Sequence, residues 1–203
     1  MYATIHRFRR WPDEESEEWA TELLSRLTDG TEPLGACVLG RLDGMDGAVF
    51  ALWEDQAGAA QAAGWTGEGA RWLDASAFAV LETDAGTASG TPPRFAQLAW
   101  LDTAGDAARA DTALRSGRER ISPAVRDVEG VVGTYVLRSE DHRMVVVTLV
   151  TSVETPDALR AAIFATRLLP WEDPEQLVDV ERLDVDRVLV ARMPAPAEAE
   201  VRS

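Results

Sequence analysis

The side chains able to do chemistry are few. His6 sits in "TIHRFR", on the same parity as Thr4 and Phe8. An imidazole titrates near neutral pH, so His6 is a candidate general base. An edge histidine with no chemistry fits the same pattern. His142 falls in the turn "SEDHRM", where exposure is expected. No HxH, HExxH or carboxylate–His spacing accompanies either residue, so no metal site is expected. Of seven tryptophans, Trp53, Trp65 and Trp72 fall within 20 residues. Flat amphipathic rings can wall a pocket for an aromatic ligand, which makes these three candidate substrate-binding residues. The plainer alternative is that Trp53 fills the core and the other two cover loops. The single cysteine, Cys37, lies in an apolar run and reads as a small buried hydrophobe.

Absences narrow the field. The chain contains no Lys and no Asn, and all 20 cations are Arg. A lysine Schiff base and a phosphate-binding Walker lysine are both impossible. "GWTGEGARW" is glycine-rich but lacks the Walker spacing. No cofactor is expected from these patterns. A formal net charge of −15 disfavours nucleic acid and anionic membrane surfaces as partners. No apolar run approaches the length of a membrane span, and "MYATIHRFRRW" lacks the apolar core of an export signal. One cysteine offers no disulfide framework, and a cytoplasmic location is expected.

The elements that must position His6 and the tryptophans follow from periodicity. "TIHRFR" reads as a strand. "WPDEESEEWATELLSRLTDG" reads as a helix with Pro12 and Asp13 at its start, acids at its positive end and Trp19, Leu23, Leu24 and Leu27 on one stripe. Ala36–Leu42 and Gly47–Glu54 form a hairpin around "DGMDG". "DQAGAAQAAG" is a short helix and "ASAFAVLET" a strand, giving β-α-β-β-α-β. Residues 84–93, "DAGTASGTPP", read as a linker. The order then recurs: "RFAQLAWLD" as a strand, a helix from Asp106 to about Val128 reset at Pro123, a hairpin around "EDH", a helix from Thr155, and "DRVLVARM" as the last strand.

The two halves also correspond in detail. Gly35 aligns with Gly133, Val38 with Val136, Val49 with Val146 and Leu52 with Leu149, an offset of 97 to 98 residues. Both parities of Gly47–Glu54 are largely apolar, whereas a sheet with one wet face should alternate. Each sheet should therefore be covered twice, by helices on one face and by the other sheet on the second. The expected fold is α+β: tandem ferredoxin-like (βαββαβ) repeats packing sheet to sheet inside one chain. The expected organisation is a first repeat over 1–83, a linker over 84–93, a second repeat over 94–193 and a flexible tail over 194–203.

Three segments carry a family resemblance. "MYATIHRFR" with its acidic helix resembles the start of antibiotic-biosynthesis-monooxygenase (ABM)-like domains. "AVFALWEDQAGAAQA" resembles their strand, acidic turn and small-residue helix. "ISPAVRDVEGVVGTYVLRSED" is similar to their helix end, glycine turn and second strand. The resemblance implies a dimeric α+β barrel, here formed within one chain, so that either a monomer with an internal pseudo-dimer or a homodimer is expected. It implies a cofactor-independent monooxygenase acting on a small aromatic, polyketide-type molecule, or a non-catalytic binding or stress-associated protein of the same fold. Haem binding is a third reading. Some oxygenases of the family use an Asn and a Trp between sheet and helices, and haem-degrading members use a His on the second helix. This chain has no Asn, and neither Asp55–Gly64 nor Pro156–Thr166 contains His.

Overall fold

The computed structural model describes residues 1–9, 17–27, 32–42, 44–65 and 70–194. The expected helix start at Pro12, its stop at Gly30 and the expected tail beyond residue 194 lie outside them. The first half comprises β1 (Tyr2–Arg9), α1 (Glu17–Leu27), β2 (Gly35–Arg41), β3 (Asp46–Trp53), α2 (Gln56–Ala63) and β4 (Arg71–Ala85). The second comprises β5 (Phe95–Leu101), α3 (Ala107–Ser116), a π-helical turn over Gly117–Ile121, α4 (Ser122–Val125), β6 (Val131–Arg138), β7 (Met144–Val150), α5 (Thr155–Phe164) and β8 (Val180–Arg192).

Local chemistry sets the helix boundaries. The Asp55 carboxylate accepts the Gly58 N–H at 2.9 Å and so caps α2, and Asp106 caps α3 through Arg109 N–H at 3.0 Å. Pro123 and Pro156 occupy the first turns of α4 and α5, where a missing N–H costs nothing. The long helix expected over residues 106–128 is broken into α3, the π turn and α4, because Pro123 cannot donate into a continuous ladder.

All eight strands close into one antiparallel barrel in the order β1-β3-β2-β8-β5-β7-β6-β4. This is two four-stranded sheets, β4-β1-β3-β2 and β8-β5-β7-β6, that face each other across the interior and also join at both edges. The seams are β2–β8 and β4–β6, so each half's last strand pairs with the other half's second strand. Closure leaves no strand edge unpaired. The seams also explain why β4 and β8 are longer than the sequence pattern suggests. β4 pairs with β1 from Arg71 to Ala79 and with β6 from Ala79 to Ala85. β8 pairs with β5 from Val180 to Arg187 and with β2 from Asp186 to Arg192. A strand that straddles two sheets needs the length of both.

Both strand faces are buried, as the apolar run in β3 requires. Ala48, Phe50 and Leu52 join Ala3, Ile5, Cys37, Leu39, Phe78, Leu98, Tyr135 and Val147 inside the barrel. Val49, Ala51 and Trp53 face outward, against Leu23, Leu24 and Leu27 of α1 and Ala59 and Ala62 of α2. The corresponding valines occupy corresponding places. Val38 pairs with Val49, and Val136 pairs with Val146.

Candidate active site

His6 projects from the outer face of β1, between Thr4 and Phe8, into the layer between sheet and helices. Its strand neighbours are Val49 on β3 and Ala75 on β4, both small enough to leave the ring room. The side chain is fully buried, and neither Nδ1 nor Nε2 has a hydrogen-bond partner among the described residues. Burial lowers its pKa from 6.5 to about 4, against a smaller opposing pull from the Asp74 carboxylate. The ring is therefore neutral at neutral pH. It keeps both a lone pair and an N–H free for something else to engage, a rare condition for a buried imidazole.

Of the three expected tryptophans, Trp72 meets this residue, Trp65 meets Trp72, and Trp53 lies in the same outer layer. Trp72 stands edge-on to His6, with ring centroids 6.0 Å apart, and edge-on to Phe8 at 5.7 Å. Trp65, just past the C-terminus of α2, meets Trp72 at 5.0 Å. Trp53 is buried, and its Nε1–H donates to Thr4 Oγ1 at 3.0 Å. Trp19 of α1 extends the chain of rings by meeting Phe8 at 5.5 Å. Trp53 and Phe8 are core residues of the outer layer, whereas Trp65 and Trp72 are partly exposed and form its rim.

Three features of this site are not visible in residue types. Thr4 is the acceptor that fixes the Trp53 indole. A register shift in the β1–β4 pairing carries the strand from Arg7↔Asp74 to Phe8↔Trp72, leaving Leu73 as an extra residue. Strict alternation from the inward Phe78 would turn Trp72 into the barrel; the bulge turns it outward onto His6. Gly47, opposite Phe8, is the third. A Cβ there would lie 2.6 Å from the Phe8 ring and 2.3 Å from Leu39 O, so only glycine lets Phe8 settle.

Other titratable groups do different work. Cys37 lies inside the barrel, where burial chiefly pushes its thiol up to about 12, so it is no nucleophile at neutral pH. Tyr135 lies in the same interior, its phenol raised to about 12 chiefly by burial. At one barrel mouth Asp184 pairs with Arg41 and Arg182, each at 2.8 Å, and accepts from Trp100 Nε1 at 3.3 Å, bridging the β2–β8 seam. Arg120 and the buried Glu172 form an ion pair at 2.9 Å that ties the π turn to the segment before β8. A crevice of about 260 Å³ beside it is bordered by Asp111, Arg115, Trp171 and Leu177. His142 occupies a turn at φ 65°, and its carbonyl accepts from Thr103; this is a turn-forming role. Among the described residues no cluster of three or more His, Cys, Asp and Glu could hold a metal ion. Haem does not fit the residues present either, since α2 and α5 carry no imidazole to ligate its iron.

No protein-family model matches the chain, and no curated protein does. Solved structures do match. A protein from Fusobacterium nucleatum, named only provisionally as a monooxygenase, superposes with a TM-score of 0.68 at 12% identity, covering 96% of this chain and 95% of that one. The chain has the dimeric α+β barrel fold of ABM-like proteins. An anthrone oxidase-like protein matches this barrel with a TM-score of 0.59 at 14% identity, covering 94% of this chain and 92% of the other. A heme-degrading enzyme from Listeria monocytogenes matches at 0.53 and 8% identity, covering 96% of this chain and all of its own. At these identities the likeness is one of fold. In this barrel the sheet–helix layer of the first half carries the buried imidazole, and the register-equivalent position in the second half, Ala99, does not.

Proposed function

We propose that the chain is a cofactor-independent, monooxygenase-like protein acting on an aromatic, polyketide-type small molecule at the outer face of β1. The observation that carries this is the buried His6 ring with two unpartnered nitrogens beside the edge of Trp72. The barrel fold shared with an anthrone oxidase-like protein supports the substrate class. Trp65 and Trp72 form the aromatic wall, and Trp53 is its floor, held by Thr4.

The chemistry balances without an added reductant. Neutral His6 takes a proton from an acidic C–H of the substrate. The resulting carbanion passes an electron to oxygen, and the two radicals combine into a C–O bond. The peroxide takes back that proton; His6 then takes the second C–H proton as the O–O bond breaks and passes it to the departing hydroxide, so that water leaves and a carbonyl remains: CH2 plus O2 becomes C=O plus H2O. An imidazole with a pKa near 4 is a weak base, so the substrate must be acidic through its own conjugation, as anthrones and dihydroquinones are. The same low pKa makes the imidazolium a ready donor to the departing hydroxide.

Oxygen consumption with anthrone at neutral pH tests the reading. The wild-type chain consumes oxygen faster than the protein-free reaction, and His6→Ala falls to that background. No uptake above background, or equal uptake by the variant, removes the assignment. The alternative is non-catalytic binding, favoured by the full burial of His6: anthraquinone then quenches tryptophan emission with no oxygen consumed. Residues 1–83 and 94–193 are, in this reading, two diverged copies of one unit, and barrel closure within one chain makes a monomer sufficient.

A further inference from the structure

The outer face of the second sheet differs from that of the first in a way that residue identity does not explain. Val38 and Val49 pair across β2 and β3 and are fully buried. Val136 and Val146 hold the equivalent places on β6 and β7, yet both are partly exposed. The cause lies in the helices. α1 presses Ala20, Leu23, Leu24 and Leu27 onto its sheet. α3 has only Ala110 and Ser116 buried, and its assembly is tied to the rim through charge: Asp111 to Arg138, and Arg118 of the π turn to Glu82. Tethers at the rim leave the floor between them reachable by solvent.

That floor is crossed by a row of polar side chains. Gln97 on β5 pairs with Thr148 on β7, which pairs with Thr134 on β6. The equivalent row in the first half is Thr4, Ala51 and Ala36. Thr134 and Thr148 bring their hydroxyls to 3.5 Å, and Thr148 is buried. Gln97 Oε1 is shielded from solvent and has no hydrogen-bond partner. A buried acceptor left so is destabilising unless a donor arrives. The row is uncharged, in a protein of net charge −15 that repels anions.

We propose that this face is a second small-molecule site, taking a neutral ligand whose hydroxyl donates to Gln97 Oε1 while its apolar body lies on Val136, Val146 and Ala99. It is independent of the His6 reading, since no residue is shared between the two faces. The two halves are thus specialised: one aromatic and sealed around an imidazole, the other aliphatic, amide-bearing and open.

The test uses the full chain and two non-aromatic probes of one shape, 4-(trifluoromethyl)cyclohexanol and (trifluoromethyl)cyclohexane, followed by fluorine NMR line width. Wild-type protein broadens the alcohol and leaves the hydrocarbon at least several-fold sharper. Gln97→Leu, and separately Thr134→Phe, which fills the open floor from a partly exposed position, both return the alcohol signal to its free width. Thermal melts identify a variant that is unfolded, and the other then decides. Equal broadening of the two probes, or broadening that survives in a folded variant, overturns the proposal. Oxygen uptake depends on His6, which this test does not touch, so each reading can fail without the other.

Discussion

Trp72 stands edge-on to His6 at 6.0 Å because β4 carries one residue more than its partner at Leu73. The two rings meet in a T-shaped arrangement, and neither nitrogen of His6 has a hydrogen-bond partner. The contact excludes water from the imidazole without satisfying it, and burial then holds its pKa low.

That burial makes folding pH-dependent. His6 has a folded pKa of about 4 against 6.5 when unfolded, so between those values the unfolded chain binds the extra proton. Stability is whole above pH 6.5 and falls as pH drops toward 4, by up to about 3 kcal/mol from this residue. Urea melts at pH 7.5 and 5 measure the fall. His6→Phe flattens the difference relative to wild type; an unchanged difference shows that the ring is not held neutral.

Trp72 owes its outward aim to the number of residues between it and Phe78. Deletion of Leu73 removes the bulge and leaves Trp72 next to Asp74, an odd number of positions from the inward Phe78, so strict alternation keeps the indole outward and opposite Phe8. The expected result is that the near-ultraviolet circular dichroism signal from the ring cluster survives the deletion. Leu73→Ala, which keeps the extra residue, retains it too; loss of the signal in the deletion alone would show that the local twist of the bulge aims the ring.

Thr4→Val keeps the shape of the side chain and deletes the acceptor of Trp53 Nε1–H. The indole N–H is then buried without a partner, which costs about 1–3 kcal/mol in chemical denaturation. Thr4→Ser retains the oxygen and stays within about 1 kcal/mol of wild type.

The Arg120–Glu172 pair is a tether for the segment leading into β8. Burial pushes the Glu172 carboxyl up, but hydrogen bonds from Leu169 N–H, Ser116 and Arg120 outweigh it and hold it below its ordinary range. Its stabilisation is therefore present above the ordinary carboxylate pKa and lost as pH falls through the lowered one. Arg120→Ala strands a buried carboxylate and costs about 3–5 kcal/mol at neutral pH. The loss should shrink in acid, as melts at pH 7 and 3.5 reveal.

Cys37, fully buried with its thiol near pKa 12, should not react with a disulfide reagent at pH 8 in the native chain. It should react completely in urea. Reaction at native conditions would mean that the barrel opens.

Sequence alone determined the order of elements, because hydrophobic period and turn residues act locally. It also determined that both faces of the first sheet are covered, since apolar residues at both parities of β3 admit no wet face. It singled out His6 and three tryptophans because those side chains are scarce and chemically distinctive. It did not place Trp72 on a strand, since the bulge at Leu73 is a matter of register between β1 and β4 and no residue type announces it. The seams β2–β8 and β4–β6, the Thr4–Trp53 bond and the open floor around Gln97 likewise depend on residues far apart in the chain. Their geometry exists only once the barrel closes. Val38 and Val136 make the distinction plain: the same side chain in the same register is buried in one half and half-open in the other, because tertiary packing places an apolar helix over one and a charged rim around the other.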